Sequence, residues 1–267
     1  MVRRLTAAAI RKRKGSVFPV ITAYDAAFAR FAEAAGIDVI LVGDSLGNVV
    51  LGLPSTAPVE LEDMERHGGA VARGSERAHV RVDLPFGSYE PSDADAVRSA
   101  VRLVKAGATS VKLEGGEKIA SRIAAIAAAG IPVCGHIGVT PQTASLGDGF
   151  RMRRVRDRLI ADARAVQTAG AYAIVLEMVD PEIAREVSAT LEIPTIGIGS
   201  GPTCDAQVLV LYDALGMYPD PPSFVRAFAD VAAVATDGLR AYAEAVRSGA
   251  YPPPALTSVL PAAGSQK

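Results

Sequence analysis

The stretch AAGIDVILVGDSLG, residues 34–47, decides how the chain is to be read. It opens on a run of small residues closed by a glycine, as a helix ends. It passes through an unbroken apolar segment and stops on Asp44 and Ser45. A strand apolar on both faces belongs in a parallel sheet covered by helices. The glycine before it and the polar pair after it mark the joint of a βα unit.

The same joint recurs along the chain. DAAFARFAEAAG (25–36), PSDADAVRSAVRLVKAG (91–107), EKIASRIAAIAAAG (117–130) and RLIADARAVQTAG (158–170) carry apolar residues every three to four positions and close on "AG" or "AAG". Eight candidate strands follow: 17–24, 39–46, 79–86, 110–115, 132–139, 173–179, 194–199 and 208–215. Eight strands alternating with helices predict an α/β fold, a (β/α)8 TIM barrel, which typically takes roughly 250 residues in one domain. Residues 1–250 are read as that domain and 251–267, rich in Pro, Ser and Ala without periodicity, as a loose tail. A doubly wound sheet shares the alternation, but no GxGxxG follows the first strand.

Only about seven residues separate the last two candidate strands, fewer than the dozen or so that a crossover helix needs. Either that helix is a single turn or the strand count is one too many. Residues 223–248 read as one or two C-terminal helices. The basic N-terminus, MVRRLTAAAIRKRKGS, has the composition of a transit peptide. The reading preferred here is a short amphipathic helix capping the barrel floor, with Leu5, Ala8, Ala9 and Ile10 on one side.

With 28 basic against 29 acidic residues, the chain has no global field for nucleic acid or an anionic membrane. Its apolar runs, such as 39–42 and 208–211, fall far short of the ~20 residues of a membrane span. Two cysteines without a CxxC suggest neither disulfides nor zinc, which fits a reducing, cytoplasmic compartment. The expected partner is a small molecule.

In such barrels the active site lies at the C-terminal strand ends. Asp44 and Ser45 end the second strand, Asp83 the third, Lys112 and Glu114 the fourth, His136 the fifth and Glu177 the sixth. Lys112 and Glu114, two apart, must share a face. Any one of these alone reads as a surface charge; five consecutive strands ending so do not. Asp44, Asp83 and Glu114, without thiolates, offer hard oxygen ligands for Mg²⁺ or a similar divalent cation. Such an ion stabilises the charge that develops when a chelated 2-oxo acid loses a neighbouring proton. Glu177, in the apolar run VLEMV, suits a base whose pKa is raised by burial. Lys112 would steady the enolate or the substrate carboxylate, a Schiff base being the competing role. His136 donates to substrate or is satisfied inside the barrel; Cys134 reads as a small core residue, and His67 as a weak candidate. The glycines of GIGSG (197–201) suit a tight turn or close approach to a flat ligand, with a phosphate cradle as the alternative.

TAYDAAFARFAEAAGIDVILVGDSLG, DLPFGSYE, GATSVKLEGG, PVCGHIGVTPQ and IPTIGIGSG together resemble the ketopantoate hydroxymethyltransferase family over about residues 17–217. The resemblance implies a barrel of the phosphoenolpyruvate/pyruvate superfamily. It also implies hydroxymethyl transfer from 5,10-methylenetetrahydrofolate, as co-substrate, to 3-methyl-2-oxobutanoate, giving 2-dehydropantoate on the route to pantothenate. Asp44 and Asp83 would then serve metal and substrate, and Glu114 the metal. Ser45 and Lys112 would contact substrate, and Glu177 would accept the proton. A homo-oligomer, a decamer, is also implied. The arginine-rich GDGFRMRRVRDR, the proline-rich YPDPPSF and Tyr212, where the family commonly has His, depart from its pattern. Two other functions compete: a Mg²⁺-dependent lyase or mutase of the superfamily, and a catalytically silent keto-acid-binding paralogue.

Overall fold

A computed structural model describes residues 4–144, 146–147, 149–218 and 220–253. In chain order the elements are α1 (Ala7–Arg11), β1 (Phe18–Thr22), α2 (Ala26–Ala34), β2 (Val39–Val42), α3 (Leu46–Val49), α4 (Leu61–Gly74), β3 (His79–Asp83), α5 (Asp93–Ala106) and β4 (Ser110–Glu114). After a 3-10 turn at Glu117–Ile119 come α6 (Ala120–Ala128), β5 (Val133–Gly138), α7 (Pro141–Ala144), α8 (Arg156–Thr168), β6 (Ala173–Glu177), α9 (Pro181–Thr190), β7 (Thr195–Ile198), β8 (Ala206–Leu209), α10 (Leu211–Ala214) and α11 (Val231–Arg247). The eight strands pair in parallel, each with its sequence neighbour, and β8 pairs with β1 to close the barrel.

The repeated "AG" has a backbone cause. Gly36, Gly107, Gly130 and Gly170, which follow α2, α5, α6 and α8, all have positive φ, between 80° and 122°. A side chain there would meet the steric penalty of the left-handed region, so glycine ends the helix and turns the chain into the next strand. At the opposite ends, Asp25 and Ser92 accept from the Phe28 and Asp95 amides, filling orphan donors of α2 and α5.

The strand count of eight stands, but the last strand lies elsewhere than expected. β8 is Ala206–Leu209, and residues 211–214, read as strand, are helical. VLVLY is apolar throughout, so periodicity could not place its end. The end is set by tertiary structure: the Leu211 amide donates to Thr22 Oγ1 at 2.8 Å. Between β7 and β8 no helix intervenes. Four-residue strands rise only about 13 Å, and the connecting residues 199–205 reach up to about 24 Å extended, so a plain loop suffices.

The N-terminal helix caps the barrel floor as expected, though by a different face. Ala7 and Ile10 are buried among Phe18, Val20, Val39, Leu41, Val175, Ile196 and Val208, whereas Ala8 is exposed. Arg4 anchors the segment, donating to the Ala72 and Ser75 carbonyls at 2.6 and 2.7 Å. Above Ile10 lies a polar knot inside the barrel. His79 Nδ1 meets the Leu5 carbonyl at 3.0 Å, His79 Nε2 meets Ser110 Oγ and Tyr172 Oη at 2.7 and 2.8 Å, and the buried Arg81 guanidinium donates twice to Tyr172 Oη.

The chain divides into two compact units, Met1–Leu211 and Tyr212–Lys267, the boundary falling inside the 1–250 span. In the second, the predicted 223–248 span holds one helix, α11, which begins only at Val231, residues 223–230 being non-helical; Asp230 caps its N-terminus by accepting from the Ala233 amide. The expected tail, 251–267, lies outside the described residues from 254 onward. Among the described residues no helix is long and apolar enough to cross a membrane. Cys134 and Cys204 are both free and buried.

Candidate active site

Parallel register brings the expected residues to one end of the barrel. Asp83 lies beside Lys112, Glu114 beside His136, and Gly138 beside Glu177 across successive strand pairs. Asp44 and Ser45 follow β2, at the same C-terminal end. Apart from Ser45 and Glu177, which are half-buried, all of them are buried.

Contacts join them into one network. Lys112 Nζ stands 3.0 Å from Asp83 Oδ2, 3.9 Å from Glu114 Oε1 and 3.3 Å from His136 Nδ1. The same Nδ1 lies 3.2 Å from Glu114 Oε1, and His136 Nε2 lies 3.3 Å from Glu177 Oε2. The last is an ion-pair approach whose alignment falls short of a hydrogen bond, since Nε2 has no hydrogen-bond partner among the described residues. The Asp44 amide donates to Asp83 Oδ2 at 3.2 Å. Ser45 Oγ lies 2.9 Å from Tyr24 Oη, which Thr22 Oγ1 holds in turn.

Burial and like charge act together on the acids. Burial, then Asp83 and Glu114 nearby, push the Asp44 carboxyl well above its usual range. Burial also raises Asp83, although Lys112 opposes it. Burial would raise Glu114 too, but His136 and Lys112 outweigh it and hold this carboxyl below the usual value. Desolvation would lower Lys112; Asp83, Glu114 and Asp44 reverse this and keep it protonated. His136 is pulled down by burial and by Lys112, yet Glu114 and Glu177 raise it to about 9. Its imidazolium therefore donates Nδ1–H toward Glu114 and presents Nε2–H to Glu177.

The surroundings of Glu177 differ from the apolar pocket expected. Its side chain is 17% exposed at the mouth and faces His136 rather than a purely hydrophobic wall. The next residue, Met178, has φ 47°, a left-handed conformation that costs a non-glycine residue about 1–2 kcal/mol. Its amide donates to the Ile198 carbonyl and its carbonyl accepts from the Arg153 amide, both at 2.8 Å, so tertiary bonds hold the turn. Such strain at a strand end is characteristic of functional sites.

Gln142 and Tyr89 were missed by sequence reasoning. Gln142 Nε2 donates to Asp44 Oδ2 at 2.7 Å, and Tyr89 Oη donates to Gln142 Oε1 at 2.6 Å. Tyr89 lies in the loop FGSYE and Gln142 on the four-residue α7, too short for periodicity to tell which way a side chain points. Elsewhere, Ser200 of GIGSG accepts from the Val179 amide at 2.9 Å and donates to the Leu176 carbonyl at 2.8 Å, so this segment is a turn that laces β6 to β7. Cys134 is a fully buried core residue. His67 bonds the Tyr24 carbonyl through Nδ1 at 2.6 Å, away from the acids.

The donor set fits a hard cation in a particular way. No group of three or more His, Cys, Asp or Glu side chains among the described residues stands as a ready cluster. Both oxygens of Glu114 are engaged: His136 Nδ1 lies 3.2 Å from Oε1 and the Gln142 amide donates to Oε2. Asp83 Oδ1 is buried with no partner among the described residues, and Gln142 is the side chain that engages Asp44, through Oδ2. A buried carboxylate oxygen without a donor is costly unless something fills the role. Two carboxylates are what Mg²⁺ ordinarily takes directly.

Comparison with known proteins places this architecture. The ketopantoate hydroxymethyltransferase family profile matches residues 4–254. A protein of Pyrobaculum islandicum named 3-methyl-2-oxobutanoate hydroxymethyltransferase is 50% identical over 94% of this chain and 97% of its own length. Its namesake in Thiobacillus denitrificans is 49% identical over 90% of this chain and 94% of its own. Among solved structures, phosphonopyruvate hydrolase in complex with oxalate and Mg²⁺ superposes with TM-score 0.63 at 16% identity, covering 92% of this chain and 88% of that one. 2,3-Dimethylmalate lyase, a member of the PEP mutase/isocitrate lyase superfamily, gives 0.62 at 18%, covering 92% and 89%. At such identities these two speak for the fold.

Proposed function

The chain belongs to the ketopantoate hydroxymethyltransferase family, and from this premise we propose that it moves a hydroxymethyl group from 5,10-methylenetetrahydrofolate to 3-methyl-2-oxobutanoate, giving 2-dehydropantoate for pantothenate synthesis. The observation that carries the reading is the buried pair Asp44 and Asp83: one carboxyl lifted well above its usual range, the other with an oxygen that has no donor among the described residues. This pair, with Glu114 as the third acid beside it, would hold a divalent cation, Mg²⁺ in the first instance. When bound, the cation supplies Lewis-acid stabilisation to an enolising 2-oxo acid.

The remaining residues have separate tasks. Ser45, held by Tyr24, and the Lys112 ammonium bind and orient the keto acid; Lys112 is fixed by Asp83 at 3.0 Å, so its charge is preorganised. Glu177 is the partly exposed carboxylate at the mouth, paired with His136, and it takes the proton from C3. His136, 3.3 Å from Glu177, orients this base and offers its own Nε2–H beside it. The enolate carbon then attacks the methylene carbon of the folate as the bond from that carbon to one folate nitrogen breaks; one water supplies the hydroxyl oxygen as the bond to the other nitrogen breaks, and tetrahydrofolate leaves with both nitrogens protonated. A reducing compartment and an assembly of identical chains complete the proposal, and light scattering of the purified protein tests the latter.

The test of the base is deuterium exchange. With keto acid and Mg²⁺ in D₂O and no folate, wild type should exchange C3 and Glu177→Gln should not, while still binding the keto acid. Exchange at the wild-type rate in the variant would overturn the assignment. Formation of 2-dehydropantoate only when methylenetetrahydrofolate is present separates this reading from a lyase.

A further inference from the structure

Gln142 is 1% exposed, and each polar atom of its side chain is engaged. Nε2 donates to Asp44 Oδ2 at 2.7 Å and to the Leu84 carbonyl at 2.9 Å, while Oε1 accepts from Tyr89 Oη at 2.6 Å. The partners fix the amide's orientation: two are pure acceptors and the third is a hydroxyl with a proton to give. Its own backbone amide donates to Glu114 Oε2 at 3.2 Å, and Tyr89 Oη accepts from the Glu114 amide at 3.2 Å. One residue of α7 thus ties the segments after β2 and β3 to the end of β4.

We propose that Gln142 is a positioning residue that locks Asp44 with Oδ2 turned away from the cation, so that Asp44 offers Oδ1 beside the free Oδ1 of Asp83. The same bond couples α7 to the cation site. The proposal rests on the reading of Asp44 and Asp83 as cation ligands. Residues that orient metal ligands from behind typically change metal affinity by about 10- to 100-fold when removed. Coupling is reciprocal: if Gln142 strengthens cation binding by some factor, the cation must protect the Gln142 segment against opening by the same factor.

The test uses the purified full chain stripped of metal and titrated with Mn²⁺, the free ion being read by electron paramagnetic resonance and Mg²⁺ added as competitor. Gln142→Leu keeps the volume and removes all three side-chain bonds; it should weaken Mn²⁺ about 10- to 100-fold. Tyr89→Phe, which frees Oε1 of Gln142 and the Glu114 amide but leaves both Nε2 bonds, should shift affinity in the same direction by less. In wild type, Mn²⁺ should slow amide exchange across residues 142–144 by a factor comparable to the affinity lost in Gln142→Leu. A purely structural role would lower stability without moving Mn²⁺ affinity. Wild-type affinity in a folded Gln142→Leu protein, or exchange at 142–144 indifferent to Mn²⁺, overturns the proposal. Failure of wild type itself to bind Mn²⁺, with Asp83→Asn no different, would instead bring down the cation reading and this inference with it.

Discussion

Replacing Lys112 with methionine isolates what holds three buried acids together. The ammonium is 3.0 Å from Asp83, 3.9 Å from Glu114 and 3.3 Å from His136. At an effective dielectric of about 20, the two attractions are worth about 5.5 and 4 kcal/mol and the repulsion from a charged imidazole about 5 kcal/mol. The remainder, about 4–5 kcal/mol, agrees with the about 3–5 kcal/mol lost when one member of a buried ion pair is removed. Urea denaturation in the presence of a chelator at pH 8 should therefore show Lys112→Met less stable by about 3–5 kcal/mol. The loss should depend on pH with a definite sign. Without the lysine, burial holds the Asp83 carboxyl still further above its unfolded value, so the folded state binds more protons and the deficit grows as pH rises. It should shrink as pH falls through the raised folded value of Asp83 toward its unfolded value of about 3.9. A difference below about 1 kcal/mol at pH 8, or one that widens on acidification, would refute this account of the site.

Asp83→Ala should weaken Mg²⁺ and 3-methyl-2-oxobutanoate together in calorimetric titrations, and retention of either affinity would separate it from the shared site. Mg²⁺ binding should release protons into a weakly buffered solution and tighten as pH rises; an affinity flat between pH 6 and 9 would contradict the raised Asp44 carboxyl and the His136 imidazolium. Burial, followed by Arg81, holds His79 down to about 3, so its neutral form contributes stability in full above the unfolded value of about 6.5. That contribution is lost progressively as pH falls toward 3, about 2 kcal/mol by pH 5; His79→Gln should flatten this part of the stability profile, and an unchanged slope would exclude His79 as its source.

The barrel was legible because its signals are local. Period and glycine placement mark each βα joint, and side chains two apart on a strand must share a face, so Lys112 and Glu114 could be paired from the sequence alone. What failed was whatever depends on distant groups. β8 ends early because Thr22, 189 residues away, takes the Leu211 amide. Arg81, within HVRVD, drew no attention, since the Tyr172 hydroxyl that receives it lies 91 residues further on. Glu177 was placed at the right strand end, but its neighbour His136 faces it from the adjacent strand, and the apolar letters around it describe the covered faces of β6 and not the mouth. Tyr89 sits on a loop and Gln142 on a single helical turn, both too short for any period to give the direction of a side chain.

The interior charge is the physical ground for the proposed cation. Asp44, Asp83 and Glu114 are buried with only Lys112 and Arg81 as permanent cations, three negative charges against two positive. The protein can offset the excess by protonation, and the groups disposed to carry a proton are Asp44, pushed well above its usual range, and His136, raised to about 9. One divalent ion in place of those two protons leaves the total charge of the interior unchanged. The exchange therefore avoids the large cost of adding net charge to a low-dielectric space. It also frees Asp44 as a ligand and leaves His136 neutral beside Glu177, no longer an imidazolium drawing on the charge of that carboxylate. A single positive ion would not make this replacement, and a soft one would find no thiolate at the mouth, because Cys134 lies in the core below. On the proposed reading, the same burial that makes the acids costly sets the charge and hardness of the ion they would hold.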